Sequence, residues 1–318
     1  MASVSDLDPN RVQRDLAAVP STAGPSESAA TRHPELCVIL LTYNSAGLIE
    51  STVRAALQLT RMVCVVDSGS SDGTERIVAG LGCHVVQRPF RNYADQRNWA
   101  IDEFGALAPW QLHLDADEVL DVEAIAEVSR ALRDPQGASN FIFRRRTYFL
   151  GQSLRFGGTH NYHLRLFRSG SARCEDRLYD QHFVSDRPAV RLGGLLHDMN
   201  VGSLTEWTAR HNRWSDLEVA ELLRAERQSG GAGDIGTLQA RILGDPRERT
   251  RWLKRRYYEL PAGLRASAYF VYRYVFRLGF MDGREGLYFA FLQALWFRML
   301  VDAKMVEARR ARESSPHS

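Results

Sequence analysis

The sequence has no segment that marks a secreted or membrane-spanning protein. No window holds 18 or more uninterrupted apolar residues, which argues against a transmembrane helix and leaves peripheral membrane contact as the expected kind. Residues 1–34 are rich in Ala, Ser, Pro and charge and have no apolar core of a secretory signal. We therefore predict a disordered leader at residues 1–34.

Cysteine and excess charge are both scarce. The four cysteines, Cys37, Cys64, Cys83 and Cys174, show no CxxC or zinc-type spacing, which indicates reduced thiols in a cytosolic protein and no disulfide framework. The net charge of +3 is modest, which argues against a protein that coats nucleic acid.

The common phosphate-binding motifs are also absent. No GxGxxG and no Walker A sequence follows any apolar run, so the familiar dinucleotide-binding and P-loop classes lose most of their support. A nucleotide, if one binds, must be held in another way.

Apolar runs alternate with helical patterns in the first half of the chain. Residues 36–41 and 62–66 are continuous apolar runs of the kind found in buried parallel strands, and each precedes a predicted helix. Further on, residues 141–150 and 162–168 predict a mixed or antiparallel extension of the same sheet. The pattern predicts an α/β fold: a mostly parallel sheet with helices on both faces, followed by a C-terminal helical extension that associates with membranes.

A cluster of carboxylates follows the strand predicted at residues 111–114. Alternate residues of a strand share a face, so Asp115 and Asp117 can point together at the carboxyl end of the sheet, where open α/β sheets bind ligands. Carboxylate oxygens suit a hard cation such as magnesium, manganese or calcium. The alternative is that one of them caps a helix that starts near Val119.

Other polar residues stand where strands end. Thr42, Tyr43 and Asn44 can contact a base and ribose, or Asn44 or Ser45 can cap the next helix. Asp67 can accept hydrogen bonds from a nucleotide, or form an Asx turn within Asp-Ser-Gly-Ser.

A polar helix precedes the carboxylate strand. Gln96 and Arg97 lie on this predicted helix and either face the site or form a solvated surface. Arg88 can reach a phosphate, or lay its stem on the core as a surface charge.

A second concentration of acid–base side chains spans residues 174–183, and His197 follows it. A lone histidine is more often structural than a ligand, so we discount His160, His163 and His211.

The C-terminal region is basic and aromatic. From Arg251 onward there are 13 basic and 6 acidic residues, and arginines punctuate aromatic-rich helices. This pattern fits a surface that sinks into the interfacial layer of an anionic membrane. The alternatives are a helical cap on the domain or a homodimer interface, whereas nucleic-acid binding is a poor match.

Three motifs in order resemble those of the family 2 glycosyltransferases with a GT-A fold: residues 38–44, 65–74 and 114–118. Residues 165–168, 176–183 and 279–283 resemble the bacterial branch that builds lipopolysaccharide, colanic acid and other exopolysaccharides. Together the likeness extends over most of the chain after the leader.

The resemblance implies a UDP-sugar donor, inversion at the anomeric carbon, and Mg²⁺ or Mn²⁺. Asp117 would bind the metal, Asp115 would lie near ribose and metal, and His197 could complete the metal site or play a structural role. The nucleotide-sugar-binding residues would be Thr42, Tyr43, Asn44, Asp67, Ser70, Arg88, Gln96, Arg97, Asp115 and Ala116.

The catalytic base is the least defined of these roles. Many relatives have a histidine followed by an acidic residue after the Arg-Leu-Phe-Arg strand, whereas this chain reads Tyr179-Asp180-Gln181. Asp180 is the first candidate, with Asp176, Glu175 and His182 as alternatives and a loop salt bridge as the competing role for Asp180.

We therefore expect a cytoplasmic, inverting, metal-dependent glycosyltransferase, peripheral on the inner face of the bacterial plasma membrane. It would move glucose or galactose from UDP to a lipid-linked (undecaprenyl-diphosphate-type) saccharide or lipopolysaccharide acceptor. The alternative is an inactive GT-A-like scaffold subunit of a polysaccharide assembly complex. The predicted segments are a leader (1–34), a transferase domain (35–228), a flexible linker (229–250) and a C-terminal helical region (251–318).

Overall fold

The computed structural model describes residues 32–159, 161–199, 202–228 and 237–314. These residues divide into two compact units. The first contains residues 32–153, 161–175 and 182–199, and the second contains residues 154–159, 176–181, 202–228 and 237–314. Most of the predicted leader, and residues 229–236 of the predicted linker, lie outside the described residues.

The first unit begins with the predicted alternation of strands and helices. Its elements are β1 (Leu36–Thr42), α1 (Ile49–Leu59), β2 (Val63–Asp67), α2 (Thr74–Gly80), β3 (His84–Gln87), α3 (Tyr93–Glu103) and β4 (Trp110–Asp115).

Shorter strands and one helix complete the first unit. These are β5 (Glu118–Leu120), α4 (Val122–Arg133), β6 (Asn140–Phe149), β7 (Gln152–Ser153), β8 (Asn161–Arg168), β9 (Arg173–Cys174), β10 (Phe183–Val184), β11 (Val190–Arg191) and β12 (Leu196–Asp198).

The main sheet has the strand order β3-β2-β1-β4-β8-β6-β12-β5. The pairs among β1 to β4 are parallel, whereas β8 runs antiparallel to both β4 and β6. The register sets Thr42 beside Asp67 and Leu41 beside Asp115, so three strand ends meet at one edge. This edge is where an open α/β sheet keeps its ligand.

Apolar residues on both faces of the sheet explain why helices cover both. Alternate residues of β1 point to opposite sides: Leu36, Val38 and Leu40 pack with α1 and α4, whereas Cys37 and Ile39 pack with Ala100 and Phe104 at the end of α3. The predicted α/β fold, with its mostly parallel sheet, its mixed extension and a C-terminal helical region, is confirmed.

The segment after the carboxylates differs from the prediction. No helix starts near Val119, because residues 118–120 form β5, which pairs antiparallel with β12. The helix begins at Val122 and its N-cap is Asp121, whose carboxylate accepts a 2.7 Å hydrogen bond from the Ala124 N–H. Asp115 and Asp117 therefore cap no helix.

The second unit is helical. It contains α5 (Leu204–Gln228), α6 (Pro246–Glu259), α7 (Leu264–Val271), a π-helical turn (Tyr272–Phe276), a 3₁₀ turn (Gly279–Asp282), α8 (Gly283–Phe289), a π-helical stretch (Ala290–Trp296) and α9 (Phe297–Glu313). Among the described residues, no helix is long and apolar enough to cross a membrane. Helix α5, which the predicted boundaries place in the first domain, is grouped with the second unit; the four-segment division stays a prediction.

Buried ion pairs join the helices of the second unit. Glu218 on α5 accepts hydrogen bonds from Arg298 on α9 at 3.0 Å and from Tyr258 on α6 at 2.6 Å, and it lies 2.8 Å from the Lys254 ammonium. Arg298 and Lys254 lower the pKa of the buried Glu218 carboxyl to about 2, although burial acts in the opposite direction. The Glu218 carboxylate therefore stays charged at neutral pH.

The loop at residues 154–159 is fixed to the C-terminal turn. The Asp282 carboxylate accepts hydrogen bonds from the backbone N–H groups of Arg155 and Phe156, at 3.0 and 2.8 Å. Gly286 allows this turn to close, since a Cβ there would lie 2.3 Å from the carbonyl oxygen of Gly279. The Gly-Phe-Met-Asp-Gly motif at residues 279–283 thus has a structural role.

Candidate active site

The ends of β1 and β2 interlock through short side chains. Asn44 adopts a left-handed backbone conformation (φ 45°), its side-chain oxygen accepts from the Ser71 N–H at 2.8 Å, and its own N–H donates to the Ser70 hydroxyl at 2.8 Å. Asn44 therefore holds the loop after β2 and does not cap α1, whose N-cap Leu48 lacks a side-chain cap. Tyr43 beside it is 62% exposed.

Thr42 offers an unsatisfied polar group at the same edge. Its side chain is 4% exposed, and its hydroxyl oxygen has no hydrogen-bond partner among the described residues. A buried hydroxyl without a partner costs about 1–3 kcal/mol. A ligand at the strand end could remove that cost.

Asp67 closes the turn that follows β2. One carboxylate oxygen accepts from the backbone N–H groups of Gly69 and Ser70 at 2.9 and 2.8 Å, and the other accepts from the Ser70 hydroxyl. The Asx turn weighed above is therefore present. Nucleotide binding by Asp67 and Ser70 stays a prediction.

Arg88 and Gln96 form a network beside this turn. The Arg88 guanidinium donates to Asp95 at 2.5 Å and to Gln96 at 2.9 Å, and it lies 5.1 Å from the centre of the Trp99 ring. Gln96 is fully buried and its amide donates to the Ser68 hydroxyl at 3.3 Å. Arg88 is thus half-buried, and Asp95 pairs with its charge. Phosphate binding by Arg88 stays a prediction.

Arg97 lies beneath the end of β4 and is fully buried. Its guanidinium donates to the Leu114 carbonyl at 2.9 Å and to the Tyr93 hydroxyl at 3.1 Å, and it forms an ion pair with Asp115. The solvated-surface alternative for this helix face is excluded. In the described part of the chain, one terminal nitrogen of Arg97 has no hydrogen-bond partner.

Asp115 sits between two buried arginines. It accepts from Arg165 at 2.7 Å and from Tyr93 at 3.1 Å, in addition to Arg97. Burial alone would raise the pKa of Asp115, but the charges of Arg165 and Arg97 outweigh burial and hold the pKa well below its usual range. Asp115 is therefore ionised, and the protein itself neutralises its charge.

Glu118 anchors the same cluster and is the first residue of β5. One of its oxygens accepts the Asp115 N–H at 3.0 Å, and the other pairs with Arg165. Burial raises the pKa of Glu118, whereas Arg165 lowers it. The carboxylate is 1% exposed, so it positions the strand end from inside the protein.

Asp117 differs from both neighbouring acids. In the described part of the chain, its half-buried carboxylate accepts no hydrogen bond and forms no ion pair. Burial and the nearby charges of Asp198, Asp115 and Glu118 raise its pKa well above the usual range. Bringing a cation to Asp117 would relieve this repulsion, which is the electrostatic condition for a metal ligand.

The donor set suits a magnesium-like ion that also binds substrate. No group of three or more His, Cys, Asp or Glu side chains within the described ranges could hold a metal by itself. Magnesium is usually held by one or two carboxylates together with substrate phosphates. The free Asp117 carboxylate fits that kind of site. The neighbouring Ala116 is buried, and its carbonyl accepts a hydrogen bond from the Thr52 hydroxyl at 2.9 Å.

Strand β12 brings His197 and Asp198 alongside β5. A His197 ring nitrogen hydrogen bonds with the Tyr148 hydroxyl at 2.9 Å, and the other lies 3.8 Å from Asp121. Asp198 lies 3.6 Å from Arg145. These contacts favour the structural role for His197, and metal binding by it stays a prediction.

The first candidate bases lie in the second unit. Asp180 has a left-handed backbone (φ 59°) and its carboxylate lies 3.2 Å from the Lys254 ammonium. Asp180 thus forms the salt bridge that was its competing role, and its partner is Lys254. Arg177 pairs with Glu221 instead, at 3.4 Å. Asp176 is exposed.

The other two candidates lie in the first unit. Glu175 is buried and accepts the His182 N–H at 2.8 Å, which closes a short loop between β9 and β10. The His182 ring stacks on His163 with their centres 5.8 Å apart. The assignment of a catalytic base stays a prediction for all four candidates, Asp180, Asp176, Glu175 and His182.

The residues missed by sequence reasoning are Arg165 and Arg145. Both are arginines inside predicted strands, and Arg165 is flanked by Leu164 and Leu166. The available signal was a charged side chain between two apolar residues of a strand. Successive side chains point to opposite faces of a sheet, so Arg165 lies on the other face from Leu164 and Leu166. Its acidic partners were not evident because they lie 47 and 50 positions away in sequence.

The chain is similar to known glycosyltransferases. Residues 37–183 match the family model of glycosyl transferase family 2. The lipopolysaccharide core biosynthesis glycosyltransferase LpsC of Rhizobium meliloti is 28% identical over 193 residues, which cover 57% of this chain and 67% of LpsC. An uncharacterised glycosyltransferase of Rickettsia bellii is 34% identical over 94 residues, or 30% of this chain and 31% of the relative.

Solved structures give a weaker similarity. Glucosyl-3-phosphoglycerate synthase from Mycobacterium tuberculosis, in complex with Mn²⁺ and UDP-glucose, aligns with a TM-score of 0.30 and 18% identity over 43% of this chain and 48% of that protein. The matched segments span about a third of the rickettsial proteins and under half of the synthase. The ends of β1, β2 and β4 therefore lie within the region, residues 37–183, that is similar to the family 2 glycosyltransferases.

Proposed function

We propose that this chain is a glycosyltransferase that moves a sugar of the glucose or galactose type from a UDP-sugar to a lipid-linked saccharide or lipopolysaccharide acceptor in bacterial surface polysaccharide biosynthesis. The transfer inverts the anomeric carbon and depends on Mg²⁺ or Mn²⁺. The protein acts in the cytoplasm on the inner face of the plasma membrane. The relative LpsC, named for lipopolysaccharide core biosynthesis, supports the class of acceptor.

The observation that carries the proposal is the contrast between Asp115 and Asp117. Two arginines pair with Asp115, whereas Asp117 forms no ion pair in the described part of the chain, and its pKa is raised by burial and nearby acids although the charge of Arg145 lowers it. A bound divalent ion would supply Lewis-acid stabilisation for the diphosphate as it departs. Asp117 would hold that ion, with Asp115 beside it near the ribose.

The strand ends would hold the nucleotide. Within the described ranges, the buried Thr42 hydroxyl has no hydrogen-bond partner, and Tyr43 presents an exposed ring next to it. Asn44 and Ser70 keep the two loops in register. The remaining proposed contacts to the nucleotide-sugar are Asp67, Arg88, Gln96, Arg97 and Ala116.

Inverting transfer requires a base for the acceptor hydroxyl. Asp180 is our first candidate, with Asp176 and His182 next. The Asp180 carboxylate lies 3.2 Å from the Lys254 ammonium, which holds it in place.

The test is UDP binding by the full chain, titrated with and without Mn²⁺ in calorimetry. Asp117→Asn should weaken Mn²⁺-dependent UDP binding about tenfold or more, or about 1.4 kcal/mol. Asp102→Asn is the control, because Asp102 is an exposed acid that pairs with Arg173. Equal Mn²⁺ dependence in the wild type and Asp117→Asn would overturn the metal assignment.

Catalysis is tested with the same proteins. Slow hydrolysis of UDP-glucose or UDP-galactose, present in the wild type and lost in Asp117→Asn, supports the transferase proposal. Metal-dependent UDP binding without hydrolysis, and without transfer to a panel of lipid-diphosphate saccharides, would instead favour an inactive scaffold.

A further inference from the structure

The segment at residues 271–291, here called the apolar hairpin, exposes an unusual number of large apolar side chains. Phe276 is the most exposed of them, at 73%. Soluble proteins rarely leave large contiguous apolar patches in water, because each Å² costs about 25 cal/mol, and such patches mark contact surfaces. The exposed side chains are those of Val271, Tyr272, Val275, Phe276, Leu278, Phe280, Met281, Leu287, Tyr288 and Phe291.

The backbone of the apolar hairpin is firmly held. The buried Arg273 guanidinium donates to the Gly157 carbonyl at 2.6 Å, and the Gly157 N–H donates to the Arg277 carbonyl at 2.8 Å. The turn also carries the Asp282 contacts and the close approach of Gly279 to Gly286. The apolar side chains are therefore carried by a segment that hydrogen bonds hold to residues 155–157.

The charges of the hairpin are arranged asymmetrically. Its two exposed charged side chains are both arginines, Arg277 and Arg284. Its acids, Asp282 and Glu285, are half-buried, and Asp282 is engaged by backbone N–H groups. The exposed side chains of the hairpin are thus apolar, aromatic or cationic.

We propose that the apolar hairpin inserts into the interfacial layer of an anionic bilayer. Apolar and aromatic side chains would enter the acyl boundary, while Arg277 and Arg284 would reach the acidic headgroups. The inference deepens the proposed function and rests on its lipid-linked acceptor, which a protein docked on the membrane would meet at the bilayer surface.

A second copy of the chain fits this surface less well. A two-fold interface places the same patch on both sides, so Arg277 and Arg284 would meet a patch that offers no exposed acid. Like charges across an interface are unfavourable. The charge therefore favours acidic lipid as the occupant.

The test is co-sedimentation of the full chain with vesicles of phosphatidylcholine, with and without phosphatidylglycerol, in the absence of donor and metal. The wild type should sediment with the anionic vesicles. Phe276→Ser combined with Met281→Ser should reduce binding about tenfold, and so should Arg277→Glu combined with Arg284→Glu.

Matched controls lie elsewhere in the second unit. Ile242→Ser with Leu243→Ser removes two exposed apolar side chains, and Arg249→Glu with Arg255→Glu reverses two exposed charges. Both control proteins should sediment like the wild type, and far-ultraviolet circular dichroism checks that every variant is folded.

Three results would overturn the inference: no sedimentation of the wild type, equal losses in hairpin and control variants, or a wild-type dimer in light scattering that the serine variant converts to a monomer. Because the assay contains no donor or metal, its failure leaves the transfer and UDP-binding assays to judge the proposed function separately.

Discussion

At the scale of single residues, Asp115 and Asp117 show how surroundings divide the work of two similar acids. They stand two positions apart, yet Arg165 and Arg97 lower the pKa of Asp115, while burial and neighbouring acids raise that of Asp117. The neutralised acid stabilises the strand end. The repelled acid gains most from an incoming cation.

Glu118 is the residue that couples these acids to the protein interior. Glu118→Gln keeps an acceptor for the Asp115 N–H but removes the charge that pairs with Arg165. Breaking a buried ion pair from one side typically costs about 3–5 kcal/mol. We expect a loss of about 3 kcal/mol in the free energy of unfolding at pH 7, measured by urea denaturation.

The control for this prediction is Glu103→Gln, at an exposed position at the end of α3. It should change the free energy of unfolding by less than about 0.5 kcal/mol. If Glu118→Gln were as stable as the wild type, the pair with Arg165 would contribute no net stability.

The sequence located the acids of the site better than it located their partners. Asp115 and Asp117 follow an apolar strand, so their place at the sheet edge follows from local periodicity. Arg165 reaches Asp115 only because β8 pairs antiparallel with β4, a pairing between segments about 50 positions apart. Local patterns do not encode such a partner.

At the scale of elements, length decided what could be predicted. The strands with continuous apolar runs agree with the structure to within one residue at each end: the runs at residues 36–41 and 62–66 became β1, Leu36–Thr42, and β2, Val63–Asp67. Strands β5 and β12 have only three residues each. So short a run carries no periodic signal, and β5 was therefore assigned to the start of a helix.

Helix α5 carries the buried Glu218, whose ion pairs make the free energy of unfolding depend on pH. The folded-state pKa of Glu218 is about 2, below its unfolded value, because Arg298 and Lys254 stabilise the charge against the effect of burial. The resulting stability, about 3 kcal/mol, is present above about pH 4.5 and is lost as the pH falls toward 2. The free energy of unfolding should decrease less over this range in Glu218→Gln than in the wild type.

The measurement for Glu218 is a series of urea denaturation curves between pH 5 and pH 2. Asp216→Asn on the same helix is the control, because Asp216 is 60% exposed and pairs with Lys304 at the surface. A Glu218→Gln protein with the pH dependence of the wild type would show that other acids govern acid unfolding.

At the scale of the whole molecule, the two units carry different chemistry. The polar strand ends, Asp117 among them, belong to the first unit, and the exposed apolar hairpin belongs to the second. Under our proposals the first unit binds the nucleotide and the metal, and the second binds lipid. The sequence indicated both features, through carboxylates after a strand and arginines among aromatics, but not which buried contacts hold each in place.

This division predicts two separate footprints in hydrogen exchange. A ligand that binds only the folded state stabilises it by about 2.7 kcal/mol at 100 times its Kd, and slows exchange where it binds. UDP with Mn²⁺ should protect amides at residues 42–46, 67–72 and 115–118, while anionic vesicles should protect residues 271–291. Asp117→Asn should lose the first footprint and keep the second, whereas Phe276→Ser with Met281→Ser should do the reverse. Protection of residues 271–291 by UDP and Mn²⁺ in the absence of vesicles would contradict the division, because it would assign nucleotide binding to the unit that we propose binds the membrane.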